Sequence, residues 1–314
     1  MPSARVLVSR SLGDVKRFAA GLQDAPPALV ISAGGDGTAL ALLNTLRASV
    51  GTAQLPGEAL LGLVPLGTGN GWANAVGAPR WREAVAQLGR LVRRREPELP
   101  LRRFGLVEVE GLVGPFSGTG WDAEIIDDFN AQKTGLGILP ERYRMGVAGY
   151  LQGLFLRTIP RNLSRRAPVE VEVTNTGEDA LTVDAEGRAA PLRGGEHGKV
   201  LYRGPASVYG AGTTPEWGFG FRAFPFAGLA PRRMNLRVYA GTAAEATLRI
   251  PGLWRGDHPL PKMHNWLVTS CRAVFSRPVP FQVGGDRLGM REAVDYRMAE
   301  DEIDLLDWSA LEAG

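Results

Sequence analysis

The run Ser32-Ala33-Gly34-Gly35-Asp36-Gly37-Thr38 brings together residue types that can hold a phosphate. Glycines at 34, 35 and 37 permit a tight turn and let backbone N–H groups approach an anion without a Cβ in the way. Asp36 offers a carboxylate at the rim of that turn, and the Thr38 hydroxyl can cap a following helix. A second run, Leu66-Gly67-Thr68-Gly69-Asn70-Gly71, repeats the theme, with Thr68 and Asn70 as further hydrogen-bonding side chains. Either run alone is equally an ordinary strand-to-helix turn. Their repetition one strand and one helix apart is what points to a ligand.

The flanking residues predict the elements that must position these loops. Ala28-Leu29-Val30-Ile31 and Leu61-Gly62-Leu63-Val64-Pro65 read as buried strands. Ala39, Leu42, Leu43 and Leu46 recur as one face of a helix, and Trp72 to Val76 starts another. Leu12 to Leu22 and Trp81 to Val92 add two amphipathic helices, and Arg5 to Ser9 reads as a further strand. Both glycine loops then fall at the carboxyl edge of a parallel sheet, where open α/β sheets bind ligands.

Beyond Leu101 the texture changes to short alternating runs bounded by glycine and proline. Phe104–Glu110, Val169–Val173, Val200–Tyr202, Leu236–Tyr239, Ala246–Ile250, Cys271–Phe275 and Val294–Met298 read as strands, and Arg142 to Thr158 as the helical exception. The expected fold is an α/β unit over 1–98, a β-sandwich-like unit over 99–298, and a segment 299–314 packing back on the first unit.

Bulk properties narrow the function classes. The chain has 314 residues, 44% of them hydrophobic, a net charge of +3, three histidines and one cysteine. It is long enough for two cores. One cysteine excludes an internal disulfide, and so few histidines argue against a zinc site. No apolar run is long enough to span a bilayer and no signal-peptide pattern is present, so a cytoplasmic protein is expected. Arginines cluster at 93–95, 102–103, 161 and 165–166. They are a solvated surface or a patch for anionic lipid headgroups at a membrane. Nucleic-acid motifs are absent.

The pair GGDGT and P-L-G-T-G-N resembles the catalytic domain of diacylglycerol kinases and their sphingosine- and ceramide-kinase relatives. Weaker similarity covers Gly118-Thr119-Gly120-Trp121-Asp122-Ala123, Val147 to Leu156 and Phe281 to Leu306. The resemblance implies phosphoryl transfer from ATP, with Mg2+, to a lipid hydroxyl such as that of diacylglycerol, in a cleft between domains. Gly34, Gly35, Asp36, Gly37, Thr38, Gly67, Thr68, Gly69 and Asn70 would bind nucleotide, and Asp36 would meet the metal directly or through water. Trp72 and Asp122 would face the cleft. The catalytic carboxylate of the family sits in an Asp-Gly-Glu or Asp-Gly-Asp turn, matched here by Gly284-Gly285-Asp286. Gly284 replaces the first acid, and Asp286 holds the third position.

Asp286 thus acts in its place, or Asp122 or Asp257 does, or the protein is an inactive relative that binds nucleotide or lipid. A soluble small-molecule kinase of the NAD-kinase type is a third possibility. Asp286 is equally explained as a hairpin-turn residue. The first strand of the family and its N-P-x-[SA]-G-like loop have no counterpart, and N-D-F-A-R reads Asn70-Gly71-Trp72-Ala73-Asn74. His258 beside Asp257, and His264, are more simply packing residues. The aromatic stretch Gly210 to Phe226 either lines an acyl-chain pocket or fills the β core.

Overall fold

The computed structural model describes residues 5–67, 69–94, 99–132, 140, 144, 146–165 and 168–312. It divides into two compact units, one built from the chain up to Gly105 together with Glu300 onward, the other from Leu106–Ala299.

In the first unit, α1 (Leu12–Asp24) opens on a reciprocal cap. Ser11 accepts from the Asp14 N–H, and the Asp14 carboxylate accepts from the Ser11 N–H. β1 (Leu29–Gly34) leads into α2 (Asp36–Val50), and β2 (Leu60–Pro65) leads to the short α3 (Gly71–Ala75) and then α4 (Trp81–Arg94). β1 and β2 pair in parallel along their whole length, Leu29 opposite Leu60 and Gly34 opposite Pro65. β2 is buried from Leu60 to Val64, as a strand covered on both faces must be. Leu40, Leu43 and Leu46 of α2 supply much of the core.

The second unit takes up β3 (Leu101–Val109) from Leu106 and adds β4 (Leu112–Gly114), β5 (Phe116–Gly120) and α5 (Trp121–Ala131). Next come α6 (Val147–Gly153), a π-helical turn at Leu154–Thr158, and α7 (Ile159–Leu163). The strands β6 (Glu170–Asn175), β7 (Leu181–Val183), β8 (Ala189–Pro191), β9 (Val200–Pro205), β10 (Val208–Gly212) and β11 (Met234–Tyr239) follow. Helices α8 (Ala243–Leu248) and α9 (Ile250–Arg255) precede β12 (Met263–Val268), β13 (Ser270–Val283) and β14 (Asp286–Leu306). The last part of β14 and α10 (Trp308–Glu312) belong to the first unit.

The sheet branches at β13. Its residues 271–275 pair with β6, which pairs with β9, while 281–283 pair with β5. The register against β14 shifts between Val274 and Val279, between the two pairing segments. From β5 the sheet continues antiparallel through β10, β11, β12, β7 and β8. Val107, Val171, Tyr209, Leu236, Ala273, Phe281 and Tyr296 form one buried cluster within this unit.

Two elements differ from the sequence expectation. Residues 5–9 form no strand: Val6 and Val8 are 87% and 71% exposed, and an alternating pattern without a partner strand has no ladder to join. Ala246–Ile250 was expected as a strand, yet it lies across the end of α8 and the start of α9. Thr242 and Glu245 cap each other's backbone and start a helix there, which the alternating Ala-Thr-Leu-Arg-Ile pattern conceals.

Candidate functional site

In the first unit both glycine loops leave adjacent parallel strands at their carboxyl ends and touch backbone to backbone. Leu66 and Gly67 donate N–H bonds to the Gly34 carbonyl at 3.0 and 3.2 Å. A Cβ on Gly67 would stand 2.2 Å from the Gly35 Cα, and one on Gly34 would stand 2.4 Å from the Thr38 Oγ1, so only glycine fits at either position. Gly35, not Thr38, is the N-cap of α2, and no side chain caps that end. Thr38 lies inside the first turn, so its expected capping role is not realised. Apart from the Thr38 N–H, which bonds the Gly35 carbonyl at 2.9 Å, the first-turn N–H groups of this fifteen-residue helix have no side-chain cap and suit an anion, assisted by the helix dipole.

Asp36 joins the two loops. Its Oδ2 accepts from the Gly71 N–H at 2.7 Å and its Oδ1 from the Trp72 N–H at 3.3 Å, which caps α3. Burial raises its pKa to about 6, against the opposing pull of those two N–H bonds. Asn70 adopts a left-handed conformation, φ 53°, and closes its own loop. Its side chain donates to the Gly67 carbonyl at 2.8 Å and accepts from the Gly67 N–H at 3.1 Å. Both Asn70 and Asp36 thus shape the loops as well as line them. Gly37 is at the surface of α2, and Gly69 is half-buried beside Asn70; Thr68 lies outside the described residues. Trp72 is 1% exposed, so it packs in the core rather than facing a ligand.

In the second unit the Gly284-Gly285 turn joins β13 to β14 with Val283 opposite Asp286. Both glycines are left-handed, φ 57° and 91°, as a two-residue hairpin turn of the primed type requires. The turn is fixed from several sides. Gly284 donates to the Phe116 carbonyl at 2.8 Å, and Gly285 donates to the Gln282 side chain at 2.9 Å. The same Gln282 amide donates to Asp122 Oδ2 at 2.8 Å, and Arg287 pairs with Asp127 of α5 at 2.7 Å. Asp286 is exposed, with its pKa raised by the protein around its carboxyl. Asp122 is 3% exposed; burial pushes its pKa up to about 8, and its Oδ1 lacks a hydrogen-bond partner. Gln282 carried no signal in the sequence beyond its place next to the turn.

The remaining candidates resolve into structure. Asp257 pairs with Arg255, His258 bonds the Asp184 carbonyl at 2.7 Å, and His264 stacks on Trp266. Arg102 pairs with Asp307, Arg103 with Asp304, and Arg161 and Arg165 with Asp128 and Glu124. These arginines serve internal ion pairs; the side chains of residues 93–95 and 166 lie outside the described set. Trp217, Phe221 and Phe224 pack with Phe116 and also line a cavity. Among the described residues no three Asp, Glu, His or Cys side chains converge as a metal cage, and no helix is long and apolar enough to cross a membrane.

Residues 3–101 match the sequence model of the diacylglycerol kinase catalytic domain. No curated protein matches the sequence. Among solved structures, the fold is similar to one described as "a putative diacylglycerol kinase" from Bacillus anthracis strain Sterne. The TM-score is 0.64 at 16% identity, over 99% of this chain and 88% of that one. A diacylglycerol kinase from the same strain gives a TM-score of 0.62 at 14% identity, over 99% and 87%. At such identities the likeness is one of fold.

Proposed function

We propose that this chain is a lipid kinase, transferring the γ-phosphoryl group of ATP to a lipid hydroxyl such as that of diacylglycerol. The observation that carries this reading is the paired glycine cradle. Two loops, packed glycine against glycine and locked together through Asp36, stand at the uncapped start of α2. That arrangement suits phosphate oxygens, and phosphoryl transfer depends mainly on positioning and charge neutralisation.

The residues divide the work as follows. Backbone N–H groups of 35–37 hold phosphate oxygens, and the loop containing Gly67, Thr68, Gly69 and Asn70 borders the nucleotide. Asp36 already accepts two N–H bonds, so its remaining lone pairs suit magnesium held through water better than direct chelation. Bound magnesium would neutralise charge on the phosphates. Asp286 orients the acceptor hydroxyl and takes its proton. A lipid acceptor places the protein at the inner face of a membrane, from the cytoplasmic side. The stretch with exposed Phe155, Leu156 and Leu163 suits such a surface.

The test is magnesium-dependent transfer from labelled ATP to a mixed lipid extract, with Asp36→Ala in parallel. Labelled lipid from the parent and at least a hundredfold less from the variant is the expected result. Nucleotide binding without transfer to lipid or to soluble acceptors would instead identify an inactive relative, the reading that Gly284 in place of an acid favours. Transfer to a soluble nucleotide acceptor alone would point to small-molecule kinase chemistry.

A further inference from the structure

The second unit contains a cavity of about 90 Å³ within its own core, apart from the glycine loops. Trp121, Ile125, Tyr150, Trp217, Phe224 and Trp254 give it an apolar wall. Into it reaches Arg237, from the middle of β11, a strand buried along its whole length. Arg237 is 6% exposed. Its Nη1 donates to the carbonyls of Ala223 and Arg222, at 2.5 and 3.5 Å. Its Nε and Nη2 have no hydrogen-bond partner, and no carboxylate among the described residues pairs with it. Burial lowers its pKa only to about 10, so it is cationic at neutral pH. Trp217 Nε1, on the same wall, is a further buried donor without an acceptor.

A buried guanidinium without a counter-ion is the costly half of an ion pair. Its two unmatched groups, Nε and one terminal nitrogen, form the edge with which arginine grips a carboxylate or a phosphate through two parallel bonds. The lining also carries Asp122, whose Oδ1 is unpartnered; burial pushes its pKa up to about 8, so at neutral pH it is largely the neutral acid and the unmatched charge on the wall is that of the guanidinium. Across β10 the residue opposite Arg237 is Gly210, which puts no side chain into the space beside it.

We propose that this cavity is a binding site for the head of an anionic amphiphile, a carboxylate or phosphate monoester on an apolar chain, gripped by Arg237. The site is separate from the glycine loops, and the proposal does not depend on the transfer reaction. The volume admits the head and the first few carbons, comparable with cavities that take one small organic molecule. Both chemistries share the planar, acceptor-rich head, and the probes distinguish them.

The experiment titrates the full chain with hexanoate, with hexyl phosphate and with hexanol, without nucleotide. Tryptophan fluorescence reports binding, since Trp121, Trp217 and Trp254 line the cavity. At least one anion should bind saturably and at least tenfold more tightly than the alcohol; whichever does identifies the head. Arg237→Met should erase that preference, leaving anion and alcohol alike, and Arg237→Lys should retain only part of it. The comparison of probes on the unaltered protein stands even if a variant misfolds. Hexanol binding as tightly as both anions, no saturable anion binding, or an unchanged preference in Arg237→Met would overturn the proposal.

Discussion

Asp36 carries two demands that pull its proton affinity in opposite directions. As the acceptor of the Gly71 and Trp72 N–H groups it works best ionised, yet burial raises its pKa from 3.8 to about 6. Between those values the folded state retains a proton that the unfolded chain has released. Stability from this group is therefore full below about pH 4 and falls as pH rises through about 6, by roughly 3 kcal/mol at most for a two-unit shift. On the proposed function activity would run the other way, because magnesium held at Asp36 needs the ionised carboxylate. Transfer should thus rise through pH 6 and level off by about pH 7, in a pH–rate profile at saturating substrate. Asp36→Asn should lose transfer and also flatten the pH dependence of urea unfolding between pH 4 and 6. An Asn variant with the parent's unfolding profile would mean that the titrating group lies elsewhere. The sequence announced Asp36 as chemistry. It did not announce the carboxylate's grip on the second loop, because the Gly71 and Trp72 amides come from a turn 35 residues away.

At the level of elements, the Gly284-Gly285 hairpin decides whether the departure from an acidic turn is fatal. The turn needs two left-handed residues, and position 284, at φ 57°, is one that aspartate adopts more readily than most residues. The backbone of Gly284→Asp should therefore be tolerated at a cost of about 1 kcal/mol, but position 284 is buried, so the new carboxyl adds a desolvation cost and thermal unfolding should show a larger loss. If Asp286 orients the acceptor, Asp286→Asn lowers transfer by about 10²–10⁴-fold, the usual range for a lost general base. Gly284→Asp then changes it less than tenfold. The reverse ranking in the same assay would place the working carboxylate at 284. The elements themselves were legible to different degrees. The two strand–loop–helix repeats of the first unit stood out because apolar runs, glycines and a helical period all agreed. The segment 246–250 misled because an alternating pattern hid a Thr242–Glu245 cap, and 5–9 misled because alternation says nothing about whether a partner exists. Arg237 left a faint signal, a charge inside an otherwise apolar strand. Gln282 left none, because its two partners, Asp122 and Gly285, come together only in the fold.

For the whole molecule, the consequential fact is that the first unit is discontinuous in sequence. Its core includes Leu305, Leu306 and Trp308, all buried at 0% exposure, and Leu305 pairs in parallel with Leu61. Trp308 donates its N–H to the Val76 carbonyl at 3.0 Å. Asp301 accepts from Arg47, the Thr52 hydroxyl and the Ala53 N–H, at 3.1, 2.8 and 2.8 Å. The strand β2 that delivers the second glycine loop is thus held from the far end of the chain, a link that local pattern cannot reveal. Trp308→Ala removes a large buried ring and should cost about 3–5 kcal/mol. Asp301→Ala removes the acceptor of the Thr52 hydroxyl and the Ala53 N–H and the carboxylate that pairs with Arg47, and should cost about 2–3 kcal/mol. Hydrogen exchange resolved along the chain should place the loss at residues 29–65 and 300–308, with the strands of the second unit keeping their protection. Nucleotide binding should weaken with it, while anion binding at Arg237 persists, since the latter depends on a core of its own. Equal loss of protection in both units would show instead that the two cores unfold as one, and Trp308 would then act on the entire chain rather than on the phosphate cradle.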